Sequence, residues 1–156
     1  MLAQNDKFIN VIDVGCGSGI LSIAALKLGA DKVLGVDIDA ESVKNSRENA
    51  DTNSIGTELT LGRGSVTEIR AGNFAFKQAP LVVANILAPV IIRLFDAGLA
   101  DLMEDNGTII LSGILQEQAQ NVIDAAQAKG LRMNDKRQMG DWVALLMNRQ
   151  IRIPRK

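Results

Sequence analysis

The 156-residue sequence predicts an α/β fold: a mostly parallel sheet, flanked by helices and closed by an antiparallel pair of strands. Three observations predict it. Apolar, strand-like runs alternate with helix-like stretches five times, the pattern of parallel strands joined by crossover helices. The first strand enters its helix through Gly15-Cys16-Gly17-Ser18-Gly19, a turn that only glycine-rich chain can make. The last two strand-like runs are separated by little more than Gly140-Asp141, a link that forces an antiparallel pair.

Phe8–Val14 is β-branched and bounded by the glycines, so it reads as a buried first strand. Leu21, Ala24, Ala25 and Leu28 form a helical stripe after the turn, and Gly29 is placed to end that helix. Lys32–Asp37 is a second strand, apolar enough to be buried on both faces. Asp39 can cap the next helix, which carries Glu41 in its first turn and runs to about Asn49-Ala50. Glu58–Leu61 is a shorter third strand and Gly62-Arg63-Gly64 a turn. Ser65-Val66-Thr67-Glu68 has the spacing of a capping box opening a short helix. Residues 70–79 read as irregular, with Phe74 and Phe76 anchoring them to the core. Leu81–Asn85 is the fourth strand, preceded by Pro80, and a helix is expected from there to about Met103. Asn106-Gly107 reads as a turn and Thr108–Gly113 as the fifth strand. Gln116–Lys129 is a helix stopped by Gly130, with Val122, Ala125, Ala126 and Lys129 along one side. Residues 131–138 and 141–147 form the closing pair.

The bulk composition excludes several classes of function. Hydrophobic residues make up 47% of the chain, which suits one domain with a sizeable core. Seventeen basic and 18 acidic residues give a net charge of -1, without the basic surplus that direct nucleic-acid binding needs. Cys16 is the one cysteine, so there is no disulfide framework, and a reducing cytoplasm is the expected compartment. With no histidine to activate it, Cys16 is not expected to be a nucleophile, and no zinc site is expected. No signal peptide and no membrane-spanning run is expected either. The basic stretch 149–156 reads as a tail beyond a domain of residues 1–148.

Strand, glycine turn and helix form the layout in which backbone amides approach a nucleoside or an anion. A dinucleotide fingerprint requires G-x-G-x-x-G, but here Ile20 stands where the third glycine should be. Asp37 ends the second strand about 20 positions after the first glycine, the distance at which a carboxylate meets a ribose held over the loop. Asn85 ends a central parallel strand and so points into the crevice where such sheets bind ligands, although an N-cap role is also open to it.

Asp13, Gly15, Gly17 and Gly19 make a D-x-G-x-G-x-G pattern that resembles motif I of the class I S-adenosylmethionine-dependent methyltransferases. Their Rossmann-like sheet has seven strands, the last inserted antiparallel. Asp13 to Ala30, Gly35 to Asp39, Val83-Ala-Asn-Ile-Leu-Ala88 and Leu111-Ser-Gly-Ile-Leu115 together resemble the PrmA family of ribosomal protein methyltransferases. The resemblance covers residues 9 to 147, and Asn-Ile-Leu-Ala is its most specific part. It implies N-methylation of lysine and N-terminal amino groups of a large-subunit ribosomal protein, with S-adenosylmethionine as donor and no metal. It implies Asp13, Gly15, Gly17, Gly19, Asp37, Ser65 and Asn85 as cofactor contacts, with Ser65 beside the adenine. Asn85 is the candidate catalytic residue, since its side-chain oxygen can accept a hydrogen bond from the acceptor amine or from the methionine end of the cofactor. The family's N-terminal recognition domain and its G-T-G-x-H-P-T-T segment are not in these residues, so the chain is expected to correspond to the catalytic domain. Three alternatives stay open: a methyltransferase of the same fold acting on another protein lysine, one acting on a small-molecule amine, and a cofactor-binding fragment without activity.

Overall fold

The computed structural model describes residues 9–149. Seven strands form one sheet: β1 (Asn10–Val14), β2 (Lys32–Asp37), β3 (Leu59–Arg63), β4 (Ala79–Asn85), β5 (Met103–Leu115), β6 (Leu131–Met139) and β7 (Trp142–Arg149). Their order across the sheet is β3-β2-β1-β4-β5-β7-β6. The first five run parallel, and β7 enters antiparallel between β5 and β6. The helices are α1 (Ile20–Lys27), α2 (Ala40–Thr52), α3 (Val66–Arg70), α4 (Ala88–Ala97) and α5 (Ala119–Ala128). The expected α/β class and the closing antiparallel pair are both present.

The sheet carries an apolar core on each face. Val11, Val33 and Leu59 pack with Ala50 and Ile55, beneath α1 and α2. Ile12, Leu34, Val82, Ile109 and Leu145 pack with Ile91, Phe95, Val122 and Ala126 from α4 and α5. Period-2 alternation sends successive residues of a strand to opposite faces, so Val11 and Ile12 serve different cores. No helix among the described residues is long and apolar enough to cross a membrane.

Several local expectations need correction. In α1 the buried residue is Ser22, with Ile23, Ala25 and Leu26 packed against the core, and Leu28 is 76% exposed. The helix is rotated from the expected stripe because Ser22 is held under the glycine turn by a buried carboxylate. Gly62-Arg63 continues β3 in register with Val36-Asp37 rather than turning. Ser65 stands at the N-cap of α3 but makes no capping hydrogen bond; its backbone is extended. The helix after β4 stops at Ala97, where Gly98 takes the left-handed conformation, and a short 3-10 turn, Leu99–Leu102, leads into β5. β5 is longer than expected because residues 104–107 bulge out. The pairing moves from Ala79↔Met103 directly to Leu81↔Thr108, which also frees Pro80 from the ladder. Arg149 lies in β7 and its guanidinium donates to the carbonyls of Ala100 and Met103, so the strand runs two residues past its expected end and one past the expected domain boundary. The remainder of the basic stretch and Phe8 lie outside the described residues.

Candidate functional site

The site begins with how the glycine turn is held. Gly15 leaves β1 with φ +73°, and the amides of Gly15 and Cys16 both donate to the Val36 carbonyl, at 2.8 and 2.9 Å. Gly17 N–H donates to Asp37 Oδ2 at 2.9 Å, and Asp39 N–H donates to Asp37 Oδ1 at 2.9 Å. From α2, the Ser46 hydroxyl donates to the Gly17 carbonyl at 2.7 Å and Asn49 Nδ2 donates to the Ser18 carbonyl at 2.8 Å. The turn is therefore tied to β2 and α2 by its own backbone groups. Asp39 caps α2 as expected, accepting from Glu41 N–H.

Asp13 lies beneath the turn, almost fully buried, and accepts from the Ser22 hydroxyl at 2.7 Å. Burial pushes its carboxyl up to about 6, and the Asp37 charge adds to this, while the Ser22 hydrogen bond opposes it. Burial likewise pushes the Cys16 thiol up to about 11, which keeps it protonated and poorly nucleophilic.

Above the turn, at the C-terminal ends of the parallel strands, is a cleft of about 640 Å³. It stands where the sheet order reverses between β1 and β4, the place where open α/β sheets bind ligands. Its polar side chains are Asp37, Ser65, Asn85 and Arg93. Its apolar walls come from Ile38, Ile86, Leu87, Val90, Leu94 and Trp142. Gly15, Gly64 and Gly113 also line it. A Cβ on Gly15 would come within 2.6 Å of Ile86 Cγ2, and one on Gly113 within 2.7 Å of Asn85 Oδ1. Both glycines have positive φ as well, so neither position accepts a side chain without displacement.

The structure thus brings together four of the sequence-derived site residues: Gly15, Asp37, Ser65 and Asn85. The other three are not among the cleft's lining. Asp13 is sealed under the turn by Ser22, Gly17 turns its amide onto Asp37, and Gly19, with φ +83°, opens α1 against Ser46. In this structure they shape the turn. Asn85 does not cap α4; Leu87 holds the N-cap position, and the Asn85 side chain has no hydrogen-bond partner among the described residues. The apolar walls and Arg93 were not found by sequence reasoning. Ile38 and Leu87 are exposed although large and apolar, and only their places one residue after Asp37 and two after Asn85 carried a signal. Trp142 reaches the cleft because β7 runs antiparallel, which brings its first residue opposite Leu115.

The family model for ribosomal protein L11 methyltransferase (PrmA) matches residues 1–150. The curated ribosomal protein L11 methyltransferase of Ruminiclostridium cellulolyticum is 38% identical over 145 residues, which are 90% of this chain and 45% of that protein. Its counterpart from Mannheimia succiniciproducens is 45% identical over 119 residues, 76% of this chain and 38% of that protein. The crystal structure of a ribosomal protein L11 methylase from Lactobacillus delbrueckii subsp. bulgaricus superposes with a TM-score of 0.83 at 34% identity, covering 95% of this chain and 73% of that one. The chain spans less than half the length of these two curated relatives.

Proposed function

The chain belongs to the ribosomal protein L11 methyltransferase (PrmA) family, and from that premise we propose that it holds the catalytic domain of an S-adenosylmethionine-dependent N-methyltransferase acting on lysine and N-terminal amino groups of ribosomal protein L11. The observation that carries this is the meeting of the Gly15 turn, Asp37 and Asn85 in one cleft at the ends of β1, β2 and β4.

The donor set suits this cofactor. Each Asp37 oxygen already accepts one amide and has a lone pair left for a ribose hydroxyl. The bare backbone at Gly15 lets Ile86 close against the turn as one wall of the cleft, and Gly64 and Ser65 border the adenine end. Ile38, Ile86 and Leu87 supply apolar walls that exclude water. S-adenosylmethionine, when bound, would supply a methyl group already activated by its sulfonium charge. What the chain adds is orientation. Asn85 Oδ1 accepts a hydrogen bond from the acceptor amine, aims its lone pair and favours the positive charge that develops on nitrogen. With no histidine or tyrosine in the chain, the amine gives its proton to water before it attacks. A cytoplasmic setting, where ribosomal proteins are made, accords with this reading.

Calorimetry with S-adenosylhomocysteine and with NAD tests it. S-adenosylhomocysteine should bind and NAD should not. Asp37→Ala should weaken S-adenosylhomocysteine about tenfold to a hundredfold, the worth of charge-assisted hydrogen bonds to the ribose. Tighter binding of NAD would overturn the assignment.

A further inference from the structure

A second concavity opens beside the cleft. It is a groove of about 300 Å³ lined by Ala88, Pro89, Ile92 and Arg93 of α4, and by Gln118 and Asn121 at the start of α5. Arg93 lines both hollows from the ridge of α4 between them: Val90 and Leu94 face the cleft, and Pro89 and Ile92 face the groove. Its position is informative. α4 begins three residues after Asn85, while Asp37 lies on β2, on the other side of β1. The groove therefore lies on the side of the amine-orienting residue, away from the ribose carboxylate.

Its chemistry is equally specific. Among the described residues Arg93 is the one cation lining either hollow and makes no ion pair, although Asp96 follows it on the same helix. The side chains of Gln118 and Asn121 have no hydrogen-bond partner among the described residues. Two primary amides can pair with the N–H and C=O groups of an extended peptide. A guanidinium fork beside them selects a carboxylate.

We propose that this groove is an acceptor subsite: it takes the peptide segment next to the methylated amine and prefers an acidic residue there, through Arg93. This rests on the methyltransferase reading and adds a substrate preference to it. The same carboxylate chemistry is present in the amino-acid end of the cofactor, and the test separates the two sources.

Trp142 is the one tryptophan in the chain and lines the cleft, so its fluorescence reports binding. The probes are Ala-Glu-Lys-Glu-Ala, Ala-Gln-Lys-Gln-Ala and Ala-Lys-Lys-Lys-Ala, titrated with and without S-adenosylhomocysteine. The glutamate peptide should bind about threefold to fivefold tighter than the glutamine peptide, as expected of a solvent-accessible ion pair, and the difference should shrink at high salt. Arg93→Gln should erase the difference, Arg93→Glu should turn it toward the lysine peptide, and Asn121→Ala should weaken all three peptides alike. S-adenosylhomocysteine affinity should be unchanged in Asn121→Ala, which lies outside the cleft. The subsite is overturned if the wild-type chain shows no preference or Arg93→Gln keeps it. Loss of S-adenosylhomocysteine affinity in Arg93→Gln with the peptide preference intact would assign Arg93 to the cofactor's carboxylate. Failure of the wild-type chain to bind S-adenosylhomocysteine would count against the proposed function alone, since the peptide comparison is also read without it.

Discussion

The two halves of the sheet are held by different forces. In residues 10–63, side-chain hydrogen bonds fix the backbone: Ser22 on Asp13, Ser46 and Asn49 on the turn carbonyls, Asp37 on the Gly17 amide, and Arg47 on the Leu59 carbonyl at 2.7 Å. In residues 79–149 the ladders are longer and the holding near the cleft is apolar, through Phe95, Ile109, Leu111, Ile114 and Leu145, while the side-chain bonds of Asn148 to Thr108 and of Arg149 to Ala100 and Met103 lie at the other end of the strands. There the polar groups that face the cleft, Asn85 and Arg93, have no partner among the described residues. Both are exposed, and water keeps such groups satisfied at little cost. One half spends its polar groups on its own shape before any ligand arrives. The other keeps those at the cleft available for one.

Three substitutions sharpen or break this contrast. Gly15→Val strikes the prebuilt half and should have the largest effect. The left-handed φ costs about 1–2 kcal/mol for a residue with a Cβ, and crowding against Ile86 costs about 1–3 more. Urea unfolding should show that loss; weaker ligand binding at unchanged stability would mean that the turn is not rigid in advance. Asn85→Ala strikes the other half. The rate of methyl transfer should fall roughly a hundredfold, as for one aimed polar group, while the melting temperature stays the same because no internal bond is lost. A lower melting temperature with an unchanged rate would reverse the contrast.

Asp13→Asn should have the smallest effect. The folded carboxyl titrates at about 6, above its ordinary 3.8, so the folded state holds a proton that the unfolded chain has released. Its contribution to stability is therefore greatest below pH 4 and falls as pH rises to 6. The amide, neutral throughout and still able to accept from Ser22, should remove that slope and leave the protein more stable at pH 7 by on the order of 1 kcal/mol. Unfolding curves at pH 4, 5, 6 and 7 check this, and a slope that survives in Asp13→Asn would assign it to another group.

The alternation of strands and helices was legible because it depends on local periodicity and on glycines that only a turn requires. Lys32–Asp37 matches β2 at both ends for that reason. The length of β5 was hidden, since Asn106-Gly107 reads as a turn in isolation and only pairing with β4 and β7 reveals it as a bulge within a strand. The α1 stripe was misplaced because a serine at Ser22 looks like surface until Asp13 is seen beneath it. At the site, Asp37 and Asn85 stood out as polar residues ending apolar runs. The apolar walls did not, because Ile86 or Val90 in sequence looks no different from a core residue. Trp142 could be placed only once the direction of β7 was known.

The β1–β4 ladder has a kinetic consequence. β1, β2 and β3 are neighbours both in sequence and in the sheet, and β4 to β7 form a second contiguous set. Only the pairing of Val11–Val14 with Leu81–Ala84 joins them. Each set can assemble over short loops, whereas pairing Val11 with Leu81 in an unassembled chain requires a loop closure of about 70 residues, so the ladder is cheapest once β1–β3 have formed and only the β3–β4 connection is left to close. That places the joining of the halves late in folding. The cleft sits on this ladder, so it does not exist until the last long-range step is complete, and a nascent chain can hold its ligand only after residues 79–85 have emerged and docked.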